Sequence, residues 1–475
     1  MEELKRRLIA KLRPSIEERQ RIEQIIKQVK EKVEAEASRL SVDVEVKVEG
    51  SIAKDTWISG DRDIDVFIRL PPSLGKKGLE ELGLKIARAA AGQSYLENYA
   101  EHPYIQAFIE GYRIDLVPCF KLEKLEGEVT AVDRTPFHTA FIKAKLSEEA
   151  RDEVRLLKGF MKGVGVYGAE IKVQGFSGYL CELLVLHYGG FRQVLEAATS
   201  WRPREVVIDI AGHYSKVEDA LNVFDQPLIV VDPVDAKRNV AAALSLQRMA
   251  EFVVASRLFL KTPSEHFFFP PPPREISHEE LGEQLKVRGV HIVALEVKVS
   301  REPPDILWGQ LYKSLEGFEE LLMGAGFEVL DRGVWSDEER VAVFTFELPH
   351  VRIPRVKKQL GPPVSSAPHE ERFLQKHVGK DLKGPRLEDW RWIAYSSRKY
   401  VDAAELLREQ GHRARLGKVI QEGLRREART YMDLELAVLL DRLEGYRLHL
   451  SELLDGRPRW LRAYMEAAKL EDKRS

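Results

Sequence analysis

The sequence predicts a multidomain α+β protein: a small mixed α/β head, a mainly helical central domain, a small α/β body and a helical C-terminal tail. Three observations carry that reading. The chain has 475 residues, far beyond the ~100–150 of one typical domain. Period-two hydrophobic alternation, the mark of strands, falls in two stretches, within 42–117 and 289–348. Helical spacing of apolar residues governs most of the rest. The expected domains are 1–146, 147–266, 267–364 and 365–475.

In order, residues 1–40 set Leu8, Ile9, Leu12 and then Ile22, Ile25, Ile26, Val29 at helical spacing. Val42-Asp43-Val44-Glu45-Val46-Lys47-Val48 alternates as a strand, and Gly50-Ser51 breaks it before a short helix at 52–57. Strands are expected at 63–68, 104–109 and 113–117, with a helix near 79–91. From 148 to about 260 the pattern is helical, broken at 163–165 and at the loop Val231-Asp232-Pro233. Phe267–Pro273 reads as a stiff extended connector, since successive prolines fix φ and forbid helix. Residues 289–299, 306–323, 326–335 and 341–348 read as strand, helix, strand, strand, a sheet with helices on one face. Residues 365–475 read as helical.

Composition narrows the class. Apolar residues make up 44% of the chain, enough for real cores. No apolar run approaches the ~20 residues that span a bilayer. The N-terminus is amphipathic and charged, without a signal peptide's apolar centre, so a cytoplasmic protein is expected, with no membrane partner. The two cysteines, Cys119 and Cys181, lie far apart without ligand spacing, which excludes a disulfide framework and a zinc ribbon. Net charge is only −2, yet residues 351–418 hold sixteen Lys and Arg against eight Asp and Glu. That stretch suits a phosphate-facing surface, or a solvated face of mixed charge. Trp390, Trp392, Tyr395 and Tyr400 are interleaved with it.

The chemistry concentrates in Gly50-Ser51-Ile52-Ala53-Lys54 and Asp61-Arg62-Asp63-Ile64-Asp65-Val66. A strand alternates its side chains, so Asp63 and Asp65 share one face while Ile64 and Val66 enter the core. Two carboxylates about 6–7 Å apart repel each other, and a divalent cation gives them reason to coexist. Asp115 lies on a later strand, Tyr112-Arg113-Ile114-Asp115-Leu116-Val117. If the two strands are neighbours, three carboxylates converge, as two-metal phosphoryl transfer requires. Glycine at Gly50 allows close backbone approach, the following helix start attracts phosphate, and Ser51 and Lys54 can reach phosphate oxygens.

Gly-Ser, then Asp-x-Asp, then a later strand aspartate resembles the nucleotidyltransferase superfamily related to polymerase β. Longer stretches are similar to the archaeal, class I CCA-adding enzymes: Asp133-Arg134-Thr135-Pro136-Phe137-His138, Glu153-Val154-Arg155-Leu156-Leu157-Lys158-Gly159-Phe160, and Val166-Tyr167-Gly168-Ala169-Glu170. Gly175-Phe176-Ser177-Gly178-Tyr179-Leu180-Cys181-Glu182-Leu183-Leu184 and Asp232-Pro233-Val234-Asp235-Ala236-Lys237-Arg238-Asn239-Val240 continue the likeness. It implies a polymerase β-like nucleotidyltransferase head in which Asp63, Asp65 and Asp115 hold two Mg²⁺ ions. Gly50, Ser51, Lys54, His138, Lys158 and Tyr167 would meet the triphosphate and ribose. Arg238 would read the base together with the RNA backbone. The family often carries glutamate at Asp63 and arginine at Lys54; lysine keeps the charge and loses the bidentate fork.

The implied reaction is template-independent addition of C, C and A to the 3′ end of tRNA from CTP and ATP, with release of pyrophosphate. The acceptor stem and T arm would be gripped as an A-form helix through shape and phosphates. A poly(A) or oligoadenylate polymerase of the same superfamily, or a catalytically silent RNA-binding homologue, are the alternatives. From the residues alone, Lys158, Tyr167 and His138 also read as structural, and Arg238 as a partner of Asp232 or Asp235. The block 175–184 reads as packing with no direct chemistry. The oligomeric state is not fixed, and the helical tail leaves a homodimer open.

Overall fold

Two helices open the chain, α1 (Glu2–Leu12) and α2 (Ile16–Arg39); Ser15 starts the second through a capping box with Glu18. The computed structural model describes residues 2–99, 103–125, 130–461 and 464–465. It divides into two compact units, Met1–Pro271 with Arg457–Ser475, and Pro272–Gly456.

In the first unit the alternating segments become β1 (Glu45–Val48), β2 (Asp63–Leu70), β3 (Tyr95–Tyr99), β4 (Pro103–Ile109) and β5 (Tyr112–Phe120), joined in the order β1-β2-β5-β4-β3. The short helix α3 (Gly50–Lys54) and the longer α4 (Gly75–Ala91) connect them. Strand β3 had no counterpart in the sequence reading. One face of the sheet carries Ile64, Val66, Ile68, Ile105, Ala107, Ile114 and Leu116, all buried against Ile22, Ile25 and Val29 of α2 and Ile86, Ala87 and Ala90 of α4. Each large side chain buried there contributes about 1.5–3 kcal/mol. The other face carries the carboxylates beside a small apolar patch of Phe67, Val117 and Cys119.

Helices α5 (Ala131–Lys145), α6 (Glu148–Val164), α7 (Gly178–Tyr188) and α8 (Phe191–Ala198) follow, then the short α9 (Val217–Val223) and α10 (Leu246–Lys261). The stretch expected to be mainly helical also holds a three-stranded sheet, β6 (Val207–Asp209), β7 (Ile229–Asp232) and β8 (Asp235–Asn239). Of the loop expected at Val231-Asp232-Pro233, Val231 and Asp232 belong to β7, and Pro233-Val234 make the tight turn to β8. The connector expectation is corrected in part. Phe267 and Phe268 are buried in the helical core among Phe160, Phe259 and Phe191, and Phe267 closes a single 3₁₀ turn, Glu265–Phe267. Aromatic burial outweighs the stiffness of the following prolines.

The second unit begins with α11 (His278–Arg288), β9 (His291–Lys298), α12 (Pro304–Ala325), β10 (Asp331–Ser336) and β11 (Val341–Leu348). Then come β12 (Val356–Pro363), α13 (Ala367–His377), β13 (Lys383–Glu388), β14 (Arg391–Ser397), α14 (Ala403–Gln410), α15 (Lys418–Arg426), β15 (Ala428–Met432), α16 (Ala437–Arg442) and α17 (Tyr446–Asp455). The expected sheet forms as β10-β11-β9-β15. Helices cover both its faces, not one. Leu295, Val297 and Phe344 pack on α12, α14 and α15, while Ile292, Ala294 and Val343 pack on α11, α16 and α17. The run Val341–Leu348 is buried at every position, Thr345 and Glu347 included, as a strand covered on two faces must be.

The helical tail expected over 365–475 is also corrected. It contributes β15 to the main sheet, and β13 and β14 to a separate sheet ordered β12-β14-β13. Asp389, at φ 52, helps close the tight turn between β13 and β14, and the aromatic, β-branched run Arg391–Ser397 is a strand by propensity. Among the described residues no helix is long and apolar enough to cross a membrane.

Candidate active site

Strands β2 and β5 are parallel neighbours, and their register sets Asp65 directly beside Asp115 and Asp63 beside Arg113. The sequence condition for convergence is therefore met at the level of the backbone. Burial, then the charges of Asp115 and Asp63, push the Asp65 carboxyl up to about 6. Asp115 is also raised, mainly by burial, although Gln106 Nε2 donates to its Oδ1 at 2.9 Å. Asp63 is exposed and pairs with Arg113 Nε at 3.1 Å. Among the described residues no three acidic, His or Cys side chains already form a closed metal-ligand group. The site is two half-buried aspartates with a third, exposed one on the same face, held by an arginine.

Gly50 presses on this pair. Its φ is +67°, and a Cβ placed on it would stand 2.1 Å from Asp65 Oδ2. No side chain fits there, which explains the glycine of the Gly-Ser turn. The helix α3 that follows ends at Asp55, itself left-handed at φ 53. Asp55 is held by Arg155 at 2.5 Å and Arg19 at 2.8 Å.

Four of the remaining sequence candidates, Lys54, Lys158, His138 and Arg238, gather around two buried carboxylates. Lys54 Nζ reaches Glu182 Oε2 at 2.5 Å, and Thr56 Oγ1 donates to Glu182 Oε1 at 2.5 Å. Lys158 Nζ donates to the Thr56 carbonyl at 3.0 Å and stands 3.6 Å from Glu182. Burial lowers the Lys158 ammonium, with Glu182 opposing. Burial alone would raise Glu182, but Lys54 and Lys158 hold it below its ordinary value. Lys54 Nζ also lies 5.5 Å from the Tyr179 ring centroid. Tyr179 stacks on His138 at 4.1 Å, and His138 Nε2 meets Asp232 Oδ2 at 2.8 Å. Asp232 accepts from Arg238 Nη1 at 2.7 Å as well, so of the two acids weighed for Arg238 the structure selects Asp232; Asp235 takes Arg134 at 3.2 Å.

Tyr167 lies past the end of α6 rather than within a helix, in an isolated bridge with Phe176. A Cβ on Gly178, the first residue of α7, would stand 3.0 Å from Tyr167 Oη and 3.5 Å from Lys158 Nζ. All ten candidate residues therefore lie in the first unit, nine on β2, β5, α3, α5, α6 and β8, and Tyr167 just past the end of α6.

Three family models match the chain along its length. They are described as a nucleotidyltransferase domain (residues 22–138), a tRNA nucleotidyltransferase second domain (152–269) and a CCA-adding enzyme C-terminal domain (288–433). The CCA-adding enzyme of Methanosarcina mazei is 40% identical over 95% of this chain and 98% of its own length. That of Methanothermobacter thermautotrophicus is 40% identical over 88% and 91%. The Pyrobaculum islandicum CCA-adding enzyme is 38% identical over 86% and 93%. The chain belongs to the CCA-adding enzymes.

In this CCA-adding enzyme the sequence reading passed over the anions that organise the site. Glu182 stands in a block read as packing; the signal was a lone charge inside the apolar run Gly178–Val185 of a helix buried almost throughout. Asp232 was weighed only as a partner for Arg238, and its bond to His138 was not foreseen. Tyr179, Gln106 and Thr56 carried no motif signal of their own.

Proposed function

We propose that this enzyme adds C, C and A in turn to the 3′ end of tRNA, taking CTP and ATP and releasing pyrophosphate. The in-register pair Asp65 and Asp115, with Asp63 on the same strand face, carries the reading. Burial first, then the neighbouring carboxylates, raise the Asp65 and Asp115 carboxyls, and a divalent cation relieves that repulsion. Asp63, Asp65 and Asp115 would hold two Mg²⁺ ions, which when bound lower the pKa of the attacking hydroxyl and neutralise the transferring phosphate.

The chain's own side chains account for the rest. Lys54 and Lys158 share one carboxylate, Glu182, and so leave net positive charge toward the triphosphate. Gly50 and Ser51 let the backbone approach it. Tyr167 and His138 bound the sugar side, and Arg238 faces the base. In the second unit, Lys358, Lys383 and Tyr395 stand level across β12, β14 and β13, a basic and aromatic surface suited to the phosphates of the acceptor stem and T arm. The four-part division at 146, 266 and 364, a cytoplasmic location and a homodimer belong to the same reading.

The test is incorporation of labelled CTP, ATP, UTP and GTP into tRNA lacking its 3′ end, with Mg²⁺. Addition of C, C and A that then stops is expected. Long adenylate tails would move the enzyme to the poly(A) polymerases, and tRNA binding without incorporation would make it a silent homologue.

A further inference from the structure

Asp232 is the last residue of β7 and is wholly buried. Four donors converge on its two oxygens. His138 Nε2 (2.8 Å) and Arg238 Nη1 (2.7 Å) meet Oδ2; the Val234 amide (3.1 Å) and Tyr179 Oη (3.4 Å) meet Oδ1. They come from α5, β8, the β7–β8 turn and α7. With its lone pairs committed inside the protein, this carboxylate has no capacity left for a nucleotide. Its influence must pass through the groups that it holds.

Both groups on Oδ2 are nucleotide contacts under the proposed function, and this inference rests on that reading. A guanidinium carries five N–H donors in a rigid plane, so fixing one Nη fixes the direction of the others. A carboxylate can only accept, so His138 donates through Nε2 and its Nδ1 is left as an acceptor. We propose that Asp232 is the positioning residue for nucleotide choice: it orients the Arg238 fork toward the base edge and locks His138 as the Nε2–H tautomer, whose Nδ1 accepts a ribose hydroxyl. One buried oxygen thus ties the group reading the base to the group reading the sugar.

Two further facts support the arrangement. Burial, the largest influence, holds His138 below its usual value, which keeps the ring neutral and the tautomer meaningful. Burial would raise Asp232, but the His138, Val234 and Arg238 hydrogen bonds outweigh it and keep the group ionised. The stacked Tyr179 ring, 26° from the imidazole plane, limits the freedom of His138 to turn away.

The experiment is Asp232→Asn in the full chain, assayed on tRNA lacking its 3′ end beside the wild type. Asparagine keeps the shape but replaces one accepting oxygen with a donor, so either the Arg238 and His138 donors on Oδ2 or the Val234 amide on Oδ1 face an N–H in place of their acceptor. The expected result is a KM for CTP and ATP raised on the order of tenfold or more, and incorporation of UTP or GTP raised similarly relative to CTP. The Kd for tRNA is expected to stay within about threefold of wild type, well inside the cost of one hydrogen bond to a charged group. Nitrogen-15 spectra of histidine-labelled protein should show His138 as Nε2–H in the wild type, the signal being assigned by its loss in His138→Gln. Arg238→Lys keeps the charge on Asp232 and loses the fork, and should relax base choice while leaving the His138 tautomer unchanged. A folded Asp232→Asn with wild-type KM and base choice overturns the inference, as does a wild-type His138 found as Nδ1–H. Should Asp232→Asn fail to fold, the wild-type tautomer and Arg238→Lys still decide it. A wild type that makes no C-C-A addition fails the functional reading itself and takes the inference with it.

Discussion

Replacing Glu182 with glutamine should be among the most destabilising single changes in the first unit, although it removes no volume. Glu182 is fully buried and is the shared anion of Lys54, at 2.5 Å, and Lys158, at 3.6 Å. Both lysines are themselves buried, at 7% and 1% exposure. Glutamine preserves a hydrogen-bonding shape for Thr56 but leaves two ammonium groups without a counter-charge. Breaking a buried pair by removing one partner costs about 3–5 kcal/mol. At about 2–4 °C per kcal/mol, that lowers the melting temperature by roughly 6–20 °C. Lys54→Met should cost less, about 1–3 kcal/mol, because Glu182 keeps Lys158 and Thr56. The double variant should be more stable than the sum of the two losses, since the methionine removes one of the stranded charges. Urea unfolding of the four proteins closes the cycle. The pH dependence supplies a second check. Burial already lowers Lys158, and Glu182→Gln removes the anion that opposes the shift, so the unfolded chain binds more protons and the lost stability returns as pH rises from 7 toward 10. A Glu182→Gln protein within about 1 kcal/mol of wild type, or strictly additive losses, would refute the shared-anion account.

Asp65→Ala and Asp115→Ala should each lower nucleotide incorporation on the order of a thousandfold with tRNA binding retained, measured by primer extension and by filter binding; retained turnover would remove the pair from the reaction. Gly50→Ala should cost about 1–2 kcal/mol for its left-handed backbone and displace Asp65, whose oxygen would stand 2.1 Å from the new methyl; unchanged incorporation would show that the close approach does not matter. In the second unit His449 is buried and held down to about 4 by burial, against about 6.5 when unfolded. The unfolded chain therefore takes up the proton first, and stability should fall as pH drops from about 6.5 to 4, by up to about 3 kcal/mol. His449→Leu should flatten that part of a Tm-against-pH curve; an unchanged slope would place its origin elsewhere.

What could be read in the sequence was whatever a short window encodes. The alternation through Asp63, Ile64, Asp65 and Val66 placed two acids on one face, and the buried Ile64 and Val66 bear this out. The chain break at Gly50-Ser51 is equally local. The hairpin of β13 and β14 was lost because charged residues and a Gly-Pro step blur its period. The both-sided cover of the main sheet in the second unit was hinted at by the consecutive apolar residues Val341–Phe344 and was under-read.

The halves of the site that stayed hidden are pairings between distant segments. Lys54 and Glu182 are 128 positions apart, and His138 and Asp232 are 94 apart. Composition cannot reveal such a pair, because each member alone resembles an ordinary charged residue. Its burial is settled only when α7 and the β7–β8 turn close over α3 and α5. Those pairs also bear on what can work alone. A buried ammonium or imidazole without its carboxylate is costly, so residues 1–146 in isolation would leave Lys54 and His138 without the anions that orient them. The aspartates of β2 and β5 would remain in register, yet the cationic side of the site would lose its geometry. Under the proposed function, nucleotide handling is therefore a property of the head and the following helical segment together, and the carboxylates Glu182 and Asp232 are two of the points where they are joined.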